Sequence, residues 1–418
     1  MPGVWFHETE FLIVLIESAP NLRRMQVTDS TTAVVPLNIE EAVRNRYSGA
    51  AQEQEAALCC PVDYDPQYLK IIPQEIIERD YGCGDPSRYV EPGDTVLDLG
   101  SGGGKICYIA AQVVGPEGKV IGVDCNDDML ELARSYRRQI AGQLGYSNVE
   151  FHKGRIQDLK LSLDQLDQHL AARPIQTSAD WLEADAHAQS LRDTSPMIAA
   201  ESVDVIVSNC VLNLVRDVDR QQLFAEMHRV LRRGGRAVIS DIVCDEHVPE
   251  QLRNDSKLWS GCMTGAFRED EFLQAFEEAG FYGIEIVSDW KEPWAVVEGI
   301  EFRSMTVRAW KGKEGPCLER NQAVVYQGPW KAVIDDDGHR LNRGQRMAVC
   351  DKTFQLYARR PYDDQIVAIP AQVDIPLEDA TAFDCSSFGV RDPQDTKRGT
   401  LSVTRLPEDD CCGSSGCC

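Results

Sequence analysis

The chain has 418 residues, of which 43% are hydrophobic, and a formal charge of −24 at pH 7. That length and composition suit a globular protein of two or three domains with a sizeable core, and they argue against long disorder. The acidic balance disfavours nucleic acid as a partner, because phosphate binding draws on clustered Lys and Arg.

No apolar run approaches the roughly 18–20 residues needed to span a bilayer. Phe11–Ile16 is the best candidate; it is far too short and follows Glu8 and Glu10 rather than basic residues, so it does not read as a signal peptide. The expectation is a cytoplasmic protein with no membrane partner. Fifteen cysteines are spread along the chain. In a reducing compartment they are better read as metal-binding, catalytic or redox-active thiols than as disulfides, with some acting as small core hydrophobes. Cys107 and Cys125 are assigned to the core.

In chain order, the segment before Met25 matches no later pattern, and a helix is expected over Asn38–Tyr47. A loop and a helix around Tyr68–Arg79 lead to Tyr81-Gly82-Cys83-Gly84. A regular alternation then begins. Thr95–Gly100, Lys119–Asp124, Val149–Lys153, Val203–Ser208 and Arg236–Ile242 read as strands. Lys105–Val114, Asp127–Leu144, Arg220–Leu231 and Glu269–Ala279 read as helices. Strands alternating with helices in short units imply a parallel, doubly wound α/β sheet. The stretch from about 163 to 200 is an insert, expected to be partly helical and peripheral. From about residue 300, short β-like runs at Met305–Trp310, Gln322–Tyr326, Arg346–Cys350 and Phe354–Ala358 suggest a separate strand-rich module.

Gly100-Ser101-Gly102-Gly103-Gly104 follows a strand and opens a helix. Glycines there let a ligand approach the backbone, and the helix start offers unpaired N–H groups. Asp98 precedes the loop, as a ligand or as a structural carboxylate capping it. Asp124 ends the next strand, where it is placed to accept hydrogen bonds from ribose hydroxyls. A nicotinamide dehydrogenase uses similar geometry, but its loop normally reads G-x-G-x-x-G, and Lys105 and Ile106 follow the glycines here. VLDLGSGGG over 96–104 instead resembles the first motif of class I S-adenosylmethionine methyltransferases, and Leu231–Arg236 resembles another of their landmarks. The cofactor-binding set implied is Asp98, Gly100, Ser101, Gly102, Asp124, Asn126, Met129 and Asn209, with S-adenosyl-L-methionine as cofactor.

Three cysteines stand in unusual places: Cys83 between glycines, Cys210 just past a strand, and Cys262 in Leu258-Trp259-Ser260-Gly261-Cys262. In an open parallel sheet, ligands bind beyond the carboxyl ends of the strands, and Cys210 falls there. YGCG, VLDLGSGGG, SNCVLNLV and LWSGC, in this order, resemble the arsenite methyltransferase family over about residues 40–360. The end of the chain, Cys411-Cys412 to Cys417-Cys418, is similar to cysteine-rich tails found there.

The resemblance implies a Rossmann-like class I methyltransferase domain with a smaller strand-rich C-terminal domain. The organisation expected is a disordered extension over 1–37, a helical and loop segment with substrate cysteines over 38–90, the cofactor domain over 91–300, the strand-rich domain over 301–405 and a Cys-rich tail over 406–418. It further implies methyl transfer to arsenite, or its thiol conjugates, held as trivalent arsenic by Cys83, Cys210 and Cys262, for arsenic detoxification. Cys60, or its neighbour Cys59, serves in disulfide exchange, with an external thiol reductant such as glutathione or thioredoxin.

The chemistry suits these residues, since a soft centre selects thiolate ligands, and arsenic bound by three sulfurs keeps a lone pair and needs no base. Cys317, Cys350 and Cys385 lack such a motif and read as structural, and the extension before Met25 and the tail read as accessory. Two departures concern the pocket: Ala266-Phe267-Arg268-Glu269 stands where the family often has an aromatic pair, and the 163–200 insert is long. Two other readings compete. A carbon or oxygen acceptor such as a quinone precursor would need a positioned base, and the histidines lie outside the motifs. A thiol protein that only sequesters metalloid would have no use for the cofactor loop.

Overall fold

The computed structural model describes residues 13–14, 39–55, 62–253, 255, 258–259, 261–288, 291–385, 389–401 and 403–405. The chain divides into two units, Met1–Gly312 and Lys313–Cys418.

The first unit is built on β2 (Thr95–Leu99), β3 (Lys119–Asp124), β4 (Val149–Lys153), β5 (Val203–Asn209) and β6 (Leu231–Cys244). They pair in parallel in the order β6-β5-β2-β3-β4. Both faces are covered, so the strands are continuous apolar runs and their side chains alternate between two cores. On one face, Val96, Val120, Val205 and Val207 meet Ile106, Tyr108 and Ala110 of helix Lys105–Val114 and Leu130 and Ala133 of helix Asp127–Leu144. On the other, Leu97, Leu99, Ile206 and Ile239 meet Leu223, Phe224 and Met227 of helix Asp217–Val230 and Phe272 and Phe276 of helix Glu269–Glu278.

The remaining strands of the sheet are β1 (Ile13–Val14), β7 (Phe267–Arg268), β8 (Tyr282–Ile286), β9 (Ala295–Val297) and β10 (Ile300–Trp310). β10 runs antiparallel along β6 from Phe302↔Cys244 to Trp310↔Arg236, with Met305, Val307 and Ala309 buried. This corrects the expected division at residue 300. The β-like run at 305–310 is an antiparallel strand of the main sheet, and the break between units follows Gly312. Alternation in a single strand reports a half-buried face and not the sheet to which it belongs.

Four smaller expectations also change. The helix expected over 68–79 is two short ones, Pro66–Leu69 and Gln74–Glu78, because Pro73 disfavours helical backbone at Ile72 before it. Phe354–Ala358 is not a strand; helix Asp351–Tyr357 forms there, started by Cys350, whose sulfur accepts from Thr353 N–H. Cys107 is fully buried, but Cys125 is exposed rather than core. Within the extension expected to be disordered, β1 (Ile13–Val14) pairs with Val296 and Val297 at the sheet edge; the rest of 1–38 lies outside the described residues.

The insert folds as two capped helices, Leu163–Ala172 and Ser178–Thr194, which bury little beyond Ala184 and Ala188. It is partly helical and peripheral, as expected for a stretch of that length. Among the described residues no helix is long and apolar enough to cross a membrane.

The second unit has a sheet of Ile366–Ile369, Ala323–Tyr326, Arg346–Ala348, Gly389–Val390 and Thr404–Arg405, in that order. Just after Gly389–Val390 comes the fully buried Arg391, paired with both carboxylate oxygens of Glu319 at 2.9 and 2.8 Å and bonded to Asn321 Oδ1 at 3.0 Å. Such a charge is tolerated in the interior because its donors are met.

Phe276 touches three other rings, Phe224, Phe272 and Phe281, at centroid distances of 4.9, 5.5 and 5.5 Å. Phe276→Ala should lower the unfolding free energy of the first unit by about 3–5 kcal/mol. Urea unfolding followed by fluorescence measures this, and a loss below about 1 kcal/mol would contradict the close packing inferred here.

Candidate active site

Order in the sheet reverses between β2 and β5, the position where open α/β sheets hold ligands beyond the strand ends. Leu99 pairs with Ser208, so the glycine loop after β2 and Cys210 after β5 leave the sheet side by side. Gly100 has φ +73°, and a Cβ there would fall 2.4 Å from Val211 Cγ1, so only glycine lets the two loops touch. The N–H groups of Gly100 and Ser101 donate to Val123 O at 2.8 and 3.1 Å.

A cavity of about 460 Å³ opens at this point, within the range of small-molecule sites. Asp98, Gly100, Ser101 and Gly102 line it, as do Asp124, Asn126, Met129 and Asn209, so all eight residues expected to bind cofactor face one space. The exposed Cys125 faces it too. Asp124 accepts from Gly102 N–H and Asn126 N–H, each at 2.8 Å, and thereby shapes the loop. Asp98 is 2% exposed and accepts from the Cys107 thiol at 3.2 Å; burial pushes its carboxyl up to about 7. Ser101 Oγ is buried without a partner among the described residues. A glycine cradle, two carboxylates and an unpaired hydroxyl fit the hydroxyls and amino group of an adenosyl cofactor.

Two residues of that set also do structural work. Asn126 caps helix Asp127–Leu144 by accepting from Met129 N–H at 3.1 Å, and its amide donates to Arg44 O at 3.2 Å and Ser48 Oγ at 3.1 Å. It thus ties helix Ile39–Gln52 to the cavity rim. Asn209 has its amide committed to the Cys83 loop. Its Oδ1 accepts from Cys83 N–H at 2.8 Å and Gly84 N–H at 3.0 Å, while Nδ2 donates to Gly84 O at 2.7 Å.

Cys83, Cys210 and Cys262 are buried in one cluster. The sulfurs of Cys210 and Cys262 and an oxygen of Asp241 lie within 4.8 Å of one another, and Cys83 is outside that closer group. The Cys262 thiol donates to Cys210 O at 3.0 Å. Both Cys210 and Cys262 have positive φ, +60° and +63°, which costs an ordinary side chain energy and is typical of functional positions. Cys60 and Cys59 lie outside the described residues, as do the tail cysteines.

The sequence reading missed three residues beside the thiols. Asp241, on β6, accepts from Leu212 N–H at 2.8 Å and from Asn213 Nδ2 at 2.8 Å. Asn213 Nδ2 also donates to Cys262 O at 3.2 Å, so this pair joins the Cys210 and Cys262 loops. Burial pushes Asp241 up to about 7 despite those donors. Tyr47, on the helix over the cavity, has its hydroxyl raised well above the usual phenol range by burial and by the thiols of Cys262 and Cys210. Asp241 stands inside an apolar run and Tyr47 on an amphipathic helix, so neither sits in a motif. A carboxylate interrupting Val238–Cys244 was the one available signal.

A Cβ on Gly82 would lie 2.0 Å from Asn209 Nδ2, an atom held by the loop itself. Gly82→Ala should lower stability by about 1–3 kcal/mol through overpacking, whereas Gly49→Ala, with nothing within 4 Å, should not. Equal urea midpoints for the two variants would refute this clamp. Asp98 supplies a pH test. Its folded value of about 7 exceeds the unfolded one near 3.9, so between those values the unfolded chain releases a proton that the folded chain keeps. Stability contributed by Asp98 is therefore present at low pH and lost as pH rises from about 4 to about 7, at up to roughly 1.4 kcal/mol per pH unit. Asp98→Asn should lack that loss, and parallel wild-type and variant stability curves would refute it.

Residues 90–182 and 183–280 match a family model described as a methyltransferase domain, and residues 313–401 match one described as a domain of unknown function. An arsenite methyltransferase of Aquipseudomonas alcaligenes is 31% identical, covering 76% of this chain and 87% of its own length. Those of Mus musculus and Homo sapiens are each 28% identical, covering 85% and 78% of this chain and 87% and 79% of their own. An X-ray structure of an arsenic(III) S-adenosylmethionine methyltransferase from Chlamydomonas reinhardtii is 26% identical, with a TM-score of 0.49, over 78% of this chain and 100% of that one. With its methyltransferase-domain match and a curated relative 31% identical over most of both chains, the chain belongs to the arsenite methyltransferase family and is an S-adenosylmethionine-dependent methyltransferase.

Proposed function

We propose that this enzyme methylates trivalent arsenic held by the thiolates of Cys83, Cys210 and Cys262, in the service of arsenic detoxification. One observation carries the reading. Cys210 and Cys262 come from separate loops, both in a backbone conformation that disfavours side chains, and their sulfurs gather within 4.8 Å beside the cavity that collects the cofactor-type residues.

S-adenosylmethionine, bound by Asp98, Asp124 and the glycine loop, supplies an electrophilic methyl group. The cysteines have the complementary task. Each thiol gives its proton to a departing hydroxide of arsenous acid, water leaves, and an As–S bond forms. Arsenic bound to three sulfurs keeps a lone pair, so the acceptor is nucleophilic without a general base. What the protein adds is placement, an effect worth several kcal/mol in well-oriented reactions. Asp241 and Asn213 serve as positioning residues because they hold the Cys210 and Cys262 loops in mutual register.

Methyl transfer raises arsenic formally from +3 to +5. Two electrons from a pair of thiols return it, with a disulfide formed, and an external reductant such as glutathione or thioredoxin restores the thiols. Cys60 is assigned that exchange with Cys83.

Cys210→Ser and Cys262→Ser should each reduce methylation of arsenite and of its monomethyl product by at least about 100-fold, the scale for losing oriented groups that act as a unit. Cys83→Ser should spare the later methylation more than the first, and Cys60→Ser should follow it. Arsenic species separated by chromatography and counted by mass spectrometry give the readout, with circular dichroism as the folding control. A folded Cys210→Ser enzyme with near wild-type turnover would sink the assignment.

A further inference from the structure

The second unit contains another gathering of thiols. Cys317, Cys350 and Cys385, separated by more than thirty residues at each step, have sulfurs that all lie within 4.8 Å of one another. The backbone arranges this. Leu318–Glu319 pairs antiparallel with Thr381–Ala382, and Phe383 N–H donates to Cys317 O at 2.9 Å, which brings the first and third cysteines together. Cys350 arrives at the start of helix Asp351–Tyr357, its sulfur within 3.5 Å of Thr353 N–H and 3.2 Å of Thr353 Oγ1. All three are free thiols; Cys350 is buried, while Cys317 and Cys385 are half-buried and leave a way in.

The bland account is three small hydrophobes packed with Ala348 and Phe383. It explains their burial. It does not explain why three such residues, from three segments, turn their sulfurs toward one point.

The ligand follows from charge and coordination number. Sulfur ligands select a soft centre. The group contains no imidazole or carboxylate among the described residues. Zinc with three thiolates would leave one negative charge in a largely apolar setting and would need a fourth ligand. Trivalent arsenic needs three ligands, and with three thiolates it is neutral.

We propose that Cys317, Cys350 and Cys385 form a second thiol site, wholly within the C-terminal unit, that captures trivalent arsenic as a tris-thiolate. In the capture, three S–H bonds and three As–OH bonds break, three As–S bonds form and three waters leave, with arsenic remaining trivalent. The site gives chemistry to a region whose family model is described only as a domain of unknown function. It does not depend on the catalytic assignment of Cys210, only on arsenite reaching the protein.

The test uses the full-length chain with Cys210→Ser and with Cys411, Cys412, Cys417 and Cys418 changed to Ser, reduced and exposed to arsenite alone. After gel filtration, mass spectrometry should count one retained arsenic per chain, and X-ray absorption should show three sulfur neighbours. Adding Cys317→Ser, Cys350→Ser or Cys385→Ser should remove that equivalent while circular dichroism stays unchanged. Should Cys350→Ser misfold, the two half-buried positions carry the test. Because the quantity read is the difference made by these three residues, it stands even if Cys210→Ser proves to retain methylation. Unchanged arsenic content in the folded variants would overturn the proposal. So would one zinc per purified chain that arsenite fails to displace, or a disulfide among the three that survives reduction.

Discussion

The site depends on one constraint, the parallel pairing of β2 with β5 where the strand order reverses. Each strand sends its chain onward to a different face of the sheet, so their carboxyl ends are the one place where two loops emerge together and no crossover covers them. The cofactor-type loop leaves from Leu99 and the Cys210 loop from Asn209. Gly100 against Val211 fixes how closely they run. The other links at the site are tied to this pair and to the neighbouring ends of β3 and β6. Asn209 holds the Cys83 loop, Asp241 and Asn213 hold the Cys262 loop, and Asn126 ties down the helix that passes over the cavity.

Much of this was legible in the sequence. The strands and helices of the alternating region follow from periodicity and caps, because a parallel sheet demands long apolar runs and its helices begin and end at residues such as Asn126 and Gly145. The eight residues named from the methyltransferase motifs all line one cavity, because those motifs fall at neighbouring strand ends. The boundary at residue 300 was not. An antiparallel strand closing a parallel sheet carries the same alternation as a strand of a separate module, and only its partner distinguishes them. Phe354–Ala358 misled for a related reason, since a five-residue apolar run has no period of its own and the cap at Cys350 decided the outcome.

The links between loops were hidden for a different cause. Asp241, Asn213, Tyr47 and the trio Cys317, Cys350 and Cys385 act through neighbours far away in the chain. No spacing rule reports such meetings, and a buried carboxylate or thiol has a plain structural use that local sequence cannot separate from a chemical one. The commitment of Asn209 to Gly84 and Cys83 is similar. It faces the cavity as expected, yet most of its hydrogen-bonding capacity is spent on shape.

The left-handed backbone at Cys210 and Cys262 has a consequence for how this protein can vary. Glycine is the residue such backbone favours, and a side chain there costs about 1–2 kcal/mol. Drift toward glycine at either position would relieve that backbone cost and, on the proposed chemistry, leave the fold inert. A screen for thermal robustness alone would give no reason to keep a thiol on such backbone, whereas a screen under arsenic would retain both. The two cysteines are thus places where the demands of folding and of chemistry pull in opposite directions.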